Sequence, residues 1–274
     1  FKQKTAYEML RSLVGSEMCI RDRFLVSLVT KKSTKEIEKN LEKLKNLQEF
    51  SFNKFPKLKS LHILQNKTQS DLNFGEIQKF WGERFLEFSM EYQIDESKPM
   101  KEILMIGPNN FFQNNIKTFE KVLDRILSES KGYKNALDIF CGVGTISIPV
   151  SLVVEAITGI EIEKSSIEIA RKNSKINSRE NCKFFQADAG DYLKKNKDKF
   201  DLIILDPPRV GLLKCAEKIK NMETEKTIYL SCNPLTQVKD LEILTQKYKI
   251  KSIELFDLYP QTPHIESLVI LEKN

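Results

Sequence analysis

The chain has 274 residues, with 44 Lys and Arg against 38 Asp and Glu, a formal net charge of +6, 41% hydrophobic and 30% charged residues. That composition describes a soluble, globular chain long enough for one large or two small domains, and +6 is only a mild hint of a polyanionic partner. No apolar run approaches the ~20 residues of a membrane span and no signal-peptide core is visible, while five cysteines without a CxxC pair speak against a disulfide scaffold or a thiolate metal site. The expectation is a cytoplasmic protein without a metal.

The segment Ala6–Arg23 (AYEMLRSLVGSEMCIRDR) has no clear strand or helix period and resembles a conceptual translation of sequencing adapters. Residues 1–23 are therefore expected to be non-native and are set apart from the fold. From Phe24 the pattern is orderly. FLVSLVT (24–30) predicts a strand. Ser33 and Glu36 have capping-box spacing, and Ile37, Leu41, Leu44 and Leu47 predict an amphipathic helix over 34–48. LKSLHILQN (58–66), Phe85–Ile94 and Ile103–Ile106 read as further strands. Nine lysines face four glutamates between Lys31 and Lys59, a run that fits a solvated face better than an RNA contact. Residues 24–107 thus predict a small α+β domain with nothing catalytic in it.

A boundary is expected at Gly107–Pro108, with a second domain over 108–274. Ile116, Phe119, Val122, Leu123, Ile126 and Leu127 mark a helix. Strands are predicted at 136–140, 156–161, 183–187, 200–206 and 227–231, with helices from about Thr145 and over 165–177. That alternation implies a parallel, doubly wound α/β sheet. IKSIELFDLY (250–259) and HIESLVILE (264–272) have no helix between them, so they should close the sheet as an antiparallel hairpin. This is the topology of class I, Rossmann-like methyltransferases.

Where the first strand of that sheet turns into a helix, the chain reads Asp138-Ile-Phe-Cys-Gly-Val-Gly-Thr145. Gly142 and Gly144 allow close backbone approach to a ligand, and Glu161 ends the next strand, where a carboxylate can accept from ribose hydroxyls. A dinucleotide fingerprint requires a third glycine, yet Ser147 holds that slot, which favours S-adenosylmethionine over NAD. Asp188, after the third strand, fits an adenine contact or a solvated turn equally well.

Asp206-Pro-Pro-Arg209 and Leu230-Ser-Cys-Asn-Pro234 follow the fourth and fifth strands at the sheet edge where such folds bind ligands. An amino-methylating enzyme would carry an aromatic after the prolines; Arg209 suits a phosphate or carboxylate instead. Cys141, Cys182 and Cys215 read as inert small hydrophobes. Cys232 sits at a strand-to-loop transition, and its position alone leaves open whether it is inert or a nucleophile. A thiol beside a methyl donor has a chemical purpose, because thiolate addition at C6 of uracil makes C5 nucleophilic and a base must then remove the C5 proton. Glu266 at the start of the last strand is the candidate base, although without the cysteine an edge-strand ion pair would be preferred. His264 is placed to orient Glu266 or to meet RNA.

FFQNN (111–115), LDIFCGVGTISIP (137–149), GIE (159–161), DPPRVGL (206–212), YLSCNPLTQVKDL (229–241) and QTPHIESLVIL (261–271) stand in an order that closely resembles the S-adenosylmethionine-dependent RNA uracil-5-methyltransferases. The resemblance covers about residues 24–274. It implies transfer of a methyl group from S-adenosylmethionine to C5 of a uridine in transfer or ribosomal RNA, with Cys232 as nucleophile and Glu266 as proton acceptor. It assigns cofactor contacts to Gln113, Phe140, Glu161, Asp188 and Asp206. Gln113 rests on the family alone. Members are generally longer, with a β-barrel RNA-binding domain and in many cases an iron–sulfur cluster, so the resemblance implies an N-terminally truncated chain, expected to be monomeric and impaired in RNA affinity. The alternatives are an RNA cytosine-5 methyltransferase, disfavoured because that family carries a second cysteine where this chain has Asp206-Pro-Pro-Arg209, and a fragment that binds cofactor or RNA without turnover.

Overall fold

The computed structural model describes residues 14–20, 23–31, 35, 38–39, 41–67, 75–94, 99–113 and 115–274. They fall into two compact units. One comprises the described residues of Phe1–Phe88 with Met105–Asn114, the other Ser89–Leu104 with Asn115–Asn274.

The first unit holds a four-stranded sheet of order β1-β2-β3-β4, with β1 Val14–Ile20, β2 Arg23–Thr30, β3 Leu58–Gln65 and β4 Glu76–Gly82. β1 and β2 are antiparallel, whereas β2 and β3 are parallel and therefore need the crossover that helix α1 (Leu41–Lys54) supplies. β4 returns antiparallel to β3. Two sequence expectations differ here. Residues 14–20, set apart as lacking a strand period, form a strand because the neighbouring β2 supplies a full antiparallel ladder. The expected helix over 34–48 has helical backbone at Lys35 and Glu38, with Lys39 N–H donating to Lys35 O at 3.1 Å, and its described run Leu41–Lys54 extends six residues past the expected end, while the Ser33–Glu36 capping pair lies outside the described residues. β4 was not predicted: its EIQKFWG lacks a clean alternation, and its pairing with the buried β3 makes it a strand. β5 (Leu86–Tyr92) and β6 (Met100–Ile106) pair as a separate two-stranded sheet, and the division between the units runs through both strands.

The second unit is built on a seven-stranded sheet of order β12-β13-β11-β10-β7-β8-β9. Its strands are β7 Asn135–Ile139, β8 Ala156–Glu161, β9 Cys182–Gln186, β10 Leu202–Leu205, β11 Lys226–Ser231, β12 Tyr248–Phe256 and β13 Glu266–Lys273. β11, β10, β7, β8 and β9 run parallel, and β13 and β12 add the antiparallel hairpin. The order doubles back at β7, giving the doubly wound class I methyltransferase sheet that the sequence predicts. β10 and β11 are buried at every position, as strands covered on both faces must be. One face packs Leu137, Ile139, Ile203, Leu205, Tyr229, Val269 and Leu271 into a continuous core.

Helix α2 (Ile116–Ser130) buries Phe119, Val122, Leu123, Ile126 and Leu127 at helical spacing. α3 is only Ser147–Val150, shorter than the sequence implies, because a chain of turns follows directly. α4 is Lys164–Ile176, α5 Ala189–Lys195, α6 Cys215–Met222 and α7 Pro234–Leu244. At the end of α2 the buried Glu129 accepts from Arg125 (2.7 Å), Lys226 (2.5 Å) and Lys251 (3.1 Å), which holds its carboxyl down at about 2 and ties the helix to β11 and β12.

Gly159 lies mid-β8, where an added Cβ would stand 2.6 Å from Phe184 Cδ1 and 2.9 Å from Cys141 Sγ. Gly159→Ala is expected to lower the urea midpoint, at a cost of about 1–3 kcal/mol, by forcing these neighbours apart. Equilibrium unfolding measures it, and an unchanged midpoint would contradict the packing described.

Candidate active site

The parallel strands β7, β8, β9, β10 and β11 all release their loops at one edge of the sheet, and the loops carry the candidate residues. After β7 the backbone turns sharply: Phe140 has φ +72, Gly142 +53 and Gly144 +84. The N–H groups of Phe140 and Cys141 both donate to Ile160 O, at 2.9 and 3.0 Å, which pins this turn to β8. A Cβ on Gly142 would meet nothing within 4 Å, so this glycine faces open space. Glu161 is held by two backbone donors: Gly142 N–H reaches Oε2 at 3.2 Å and Glu163 N–H reaches Oε1 at 2.9 Å. Each oxygen keeps a lone pair for a further donor such as a ribose hydroxyl.

Beneath the turn, Ser147 donates to Asp138 Oδ2 at 2.5 Å, both residues being wholly buried. The hydroxyl in the slot of a third glycine thus serves the carboxyl behind the loop. Burial pushes Asp138 up to about 7, with the Glu161 charge adding to the effect, and its Oδ1 has no partner. Spacing did not single out Asp138, and a lone acid in an apolar strand end was the available signal. Asp188 caps α5, accepting from Asp191 N–H at 3.0 Å. Gln113 is buried in the segment Met105–Asn114 of the first unit. The open space at Gly142 and the fixed Glu161 carboxylate fit the ribose of a nucleoside ligand.

The second group gathers at the ends of β10, β11 and β13. In the β11–β13 ladder Ser231 stands opposite Ser267, so the next residues outward, Cys232 and Glu266, end the ladder level with each other. Glu266 is 1% exposed and its Oε2 has no partner. Burial pushes its carboxyl up to about 7, against the opposing pull of Arg209. Asp206, half-buried, is pushed well above the usual carboxylate range by burial, with Glu266 and Asp138 adding. The half-buried Cys232 thiol is raised by desolvation and by the Glu266 and Asp206 charges, while Arg209 draws it back.

Arg209 is held by its own backbone and by a neighbour. Its carbonyl accepts from Asn233 Nδ2 (2.9 Å) and Thr236 Oγ1 (3.1 Å), and its guanidinium meets His264 Nε2 at 3.3 Å. Below it Asp240 Oδ2 accepts from Leu212 N–H (2.8 Å) and Tyr229 Oη (2.6 Å), which fastens the loop after β10 to α7. At Gly211, φ +78, a Cβ would lie 2.6 Å from that same oxygen, so only glycine passes there. Of the other cysteines, Cys141 and Cys215 are buried and raised, and Cys182 is pushed up to about 11 by burial.

The sequence model of the tRNA (uracil-5-)-methyltransferase family matches residues 17–274. The chain belongs to this family. An uncharacterized RNA methyltransferase of Clostridium tetani is 32% identical over 96% of this chain and 56% of its own length. A tRNA (uracil(54)-C(5))-methyltransferase of Pyrococcus horikoshii is 33% identical over 76% of the chain and 47% of its own. Among solved structures, the Pyrococcus abyssi tRNA (uracil-54, C5)-methyltransferase in complex with S-adenosyl-L-homocysteine superposes with a TM-score of 0.69 at 28% identity, over 94% of this chain and 59% of that one. The chain therefore spans about half to three fifths of the length of these relatives. The match includes residues 17–23, inside the segment set apart for its lack of a strand or helix period.

The charge arrangement sets the titration of Cys232. Replacing Glu266 by Gln removes a neighbouring negative charge, so the thiol is expected to titrate lower than in the parent chain, whereas Arg209→Met should move it higher. Iodoacetamide alkylation of the Cys232 peptide across pH 6–11, followed by mass spectrometry, reads both shifts; unchanged titration in both variants would separate these three side chains.

Proposed function

We propose that this chain transfers a methyl group from S-adenosylmethionine to C5 of a uridine in an RNA loop, through a covalent bond between Cys232 and C6 of the base. The observation that carries the reading is the level placement of Cys232 and Glu266 at the end of the β11–β13 ladder, within a chain of this family. Phe140, Glu161 and Asp206, with Asp188, would hold the cofactor, which supplies an electrophilic methyl group on a sulfonium.

The residues of the chain supply the rest. The Cys232 thiolate adds to C6, and the C5–C6 double bond becomes an enolate with nucleophilic character at C5. After methylation C5 carries both the methyl group and its original hydrogen. Glu266, ionised, removes that proton; the electron pair restores the double bond and expels the Cys232 thiolate. A carboxyl near 7 suits this step, since it is a stronger base than an ordinary glutamate and is still ionised in part at neutral pH. The raised thiol rests protonated and gives its proton to solvent before it adds to C6, and Arg209 stabilises the thiolate that forms.

A uridine stacked in a duplex cannot reach Cys232, which favours loops. The two Pyrococcus relatives are named for uracil 54 of tRNA, so tRNA is the first substrate to test, ahead of ribosomal RNA. No described helix is long and apolar enough to cross a membrane, and a cytoplasmic monomer acting on RNA is the form proposed.

Glu266→Gln is expected to accumulate a protein–RNA adduct that survives denaturing electrophoresis when incubated with S-adenosylmethionine and tRNA, while Cys232→Ala forms none. Turnover should fall by about 10²–10⁴-fold in Glu266→Gln, the usual contribution of a positioned base. Absence of an adduct with both tRNA and ribosomal RNA would reject the assigned roles.

In the parent chain, the single-turnover rate at which free methylated RNA is released from the covalent adduct should rise with pH through about 7 as Glu266 ionises. A rate independent of pH between 6 and 8 would contradict Glu266 as the base.

A further inference from the structure

The loop that joins β12 to β13 is ordered by its own bonds. Tyr259 O accepts from Thr262 N–H at 3.1 Å across Pro260 and Gln261, and Gln261 has φ +68. This is a type II turn in which a glutamine takes the left-handed place usually left to glycine. Thr262 Oγ1 donates to Tyr259 O (2.7 Å) and accepts from His264 N–H (3.2 Å), which ties His264 to the turn. The Tyr259 ring stands edge-on to the imidazole, with centroids 6.2 Å apart at 82°. Gln261, Thr262 and Pro263 are exposed, so the bonds serve no core packing; what they fix is His264.

The imidazole reaches into the reaction site, where its Nε2 lies 3.3 Å from Arg209 Nη2. A guanidinium has donors only, so the ring is the acceptor: Nε2 presents its lone pair and the ring proton sits on Nδ1. The same guanidinium is hydrogen-bonded to the Cys232 thiol. Glu266 lies two residues beyond His264, yet its Oε2 has no partner, and the imidazole turns to the guanidinium. A carboxylate in the place of the ring would also hold Arg209, but its negative charge would cancel the pull of the cation on the thiol. A neutral acceptor fixes the guanidinium and leaves its charge whole.

We infer that His264 is a positioning residue: by accepting from Arg209 Nη2 at Nε2, it holds the guanidinium on Cys232, where the positive charge favours the thiolate. The inference rests on the function proposed above for its purpose, while the contact is a property of the chain without RNA. His264 acts through Arg209 and makes no bond to the reacting base.

The test is alkylation of Cys232 by iodoacetamide across pH 7–11 in the whole chain. The variants are His264→Leu, which keeps bulk and removes the acceptor, His264→Gln, and His264→Leu combined with Arg209→Met. His264→Leu should lower the thiolate fraction at pH 8 by about threefold or more, part of the roughly tenfold that a cation at this range is worth. The Gln amide oxygen can accept from a guanidinium, so His264→Gln should stay within about twofold of the parent. In the Arg209→Met background His264→Leu should add nothing, because the cation it holds is gone. An unmoved titration in His264→Leu overturns the inference, as does an equal shift with Arg209 absent or an equal loss in His264→Gln. If His264→Leu raises KM for RNA with the titration unmoved, His264 is an RNA contact and the inference is likewise overturned. If the titrations behave as expected and the parent methylates no RNA, the function falls while the assigned contact stands.

Discussion

Because β13 runs antiparallel to β11, the first residue of one strand stands beside the residue that follows the last of the other, and an intervening helix, strand and loop are folded out of the way. Everything at the reaction end of the site depends on that reversal. A parallel strand in the same place would have delivered its carboxyl end to the edge, and Glu266 would lie at the far side of the sheet. The ladder also explains the burial of Glu266, since it begins a strand flanked by β11 on one side and β12 on the other. Burial in turn raises its carboxyl to the range in which it can act as a base at neutral pH.

Three carboxyls, Asp138, Asp206 and Glu266, are all raised by loss of water, and each adds to the cost of ionising its neighbour where they couple. Arg209 is the cation that opposes this group at both Glu266 and Cys232, and two hydrogen bonds to its carbonyl fix its backbone. The Asp240–Tyr229–Leu212 contacts belong to the same device: they hold the loop from below while His264 meets the guanidinium. At the other end of the site, Ser147 on Asp138 stiffens the turn that the glycines open. The two ends are linked through Asp206, which feels both Asp138 and Glu266.

The alternation of apolar strands with helical patterns was sufficient to read the doubly wound sheet, because strands covered on both faces must be apolar throughout. AITGIE coincides with β8, and KFFQA and TIYLS fall within one residue of β9 and β11. Elements that depend on a neighbour for their burial were harder. β4 and the strand at 14–20 gain their order from pairing, and α5, α6 and α7 are short helices whose apolar positions are too few to make a period by themselves.

For the site, residue types and their place at strand ends made Glu161 and Asp206 candidates, left Cys232 and Asp188 each with a structural alternative, and made Glu266 the candidate base only in company with the cysteine. Phe140 and Gln113 came from family likeness, as an aromatic or an amide at such positions carries no signal of its own. The shifted carboxyls, the unpartnered oxygens of Asp138 and Glu266 and the service of Ser147 to Asp138 are tertiary facts: desolvation depends on what packs around a group, which no local pattern records. By itself, then, the sequence determined the sheet and the chemistry available at its edge. Only the folded chain decided which of those groups stand level, which are dry, and which cation faces them, because each is set by contacts between segments distant along the chain.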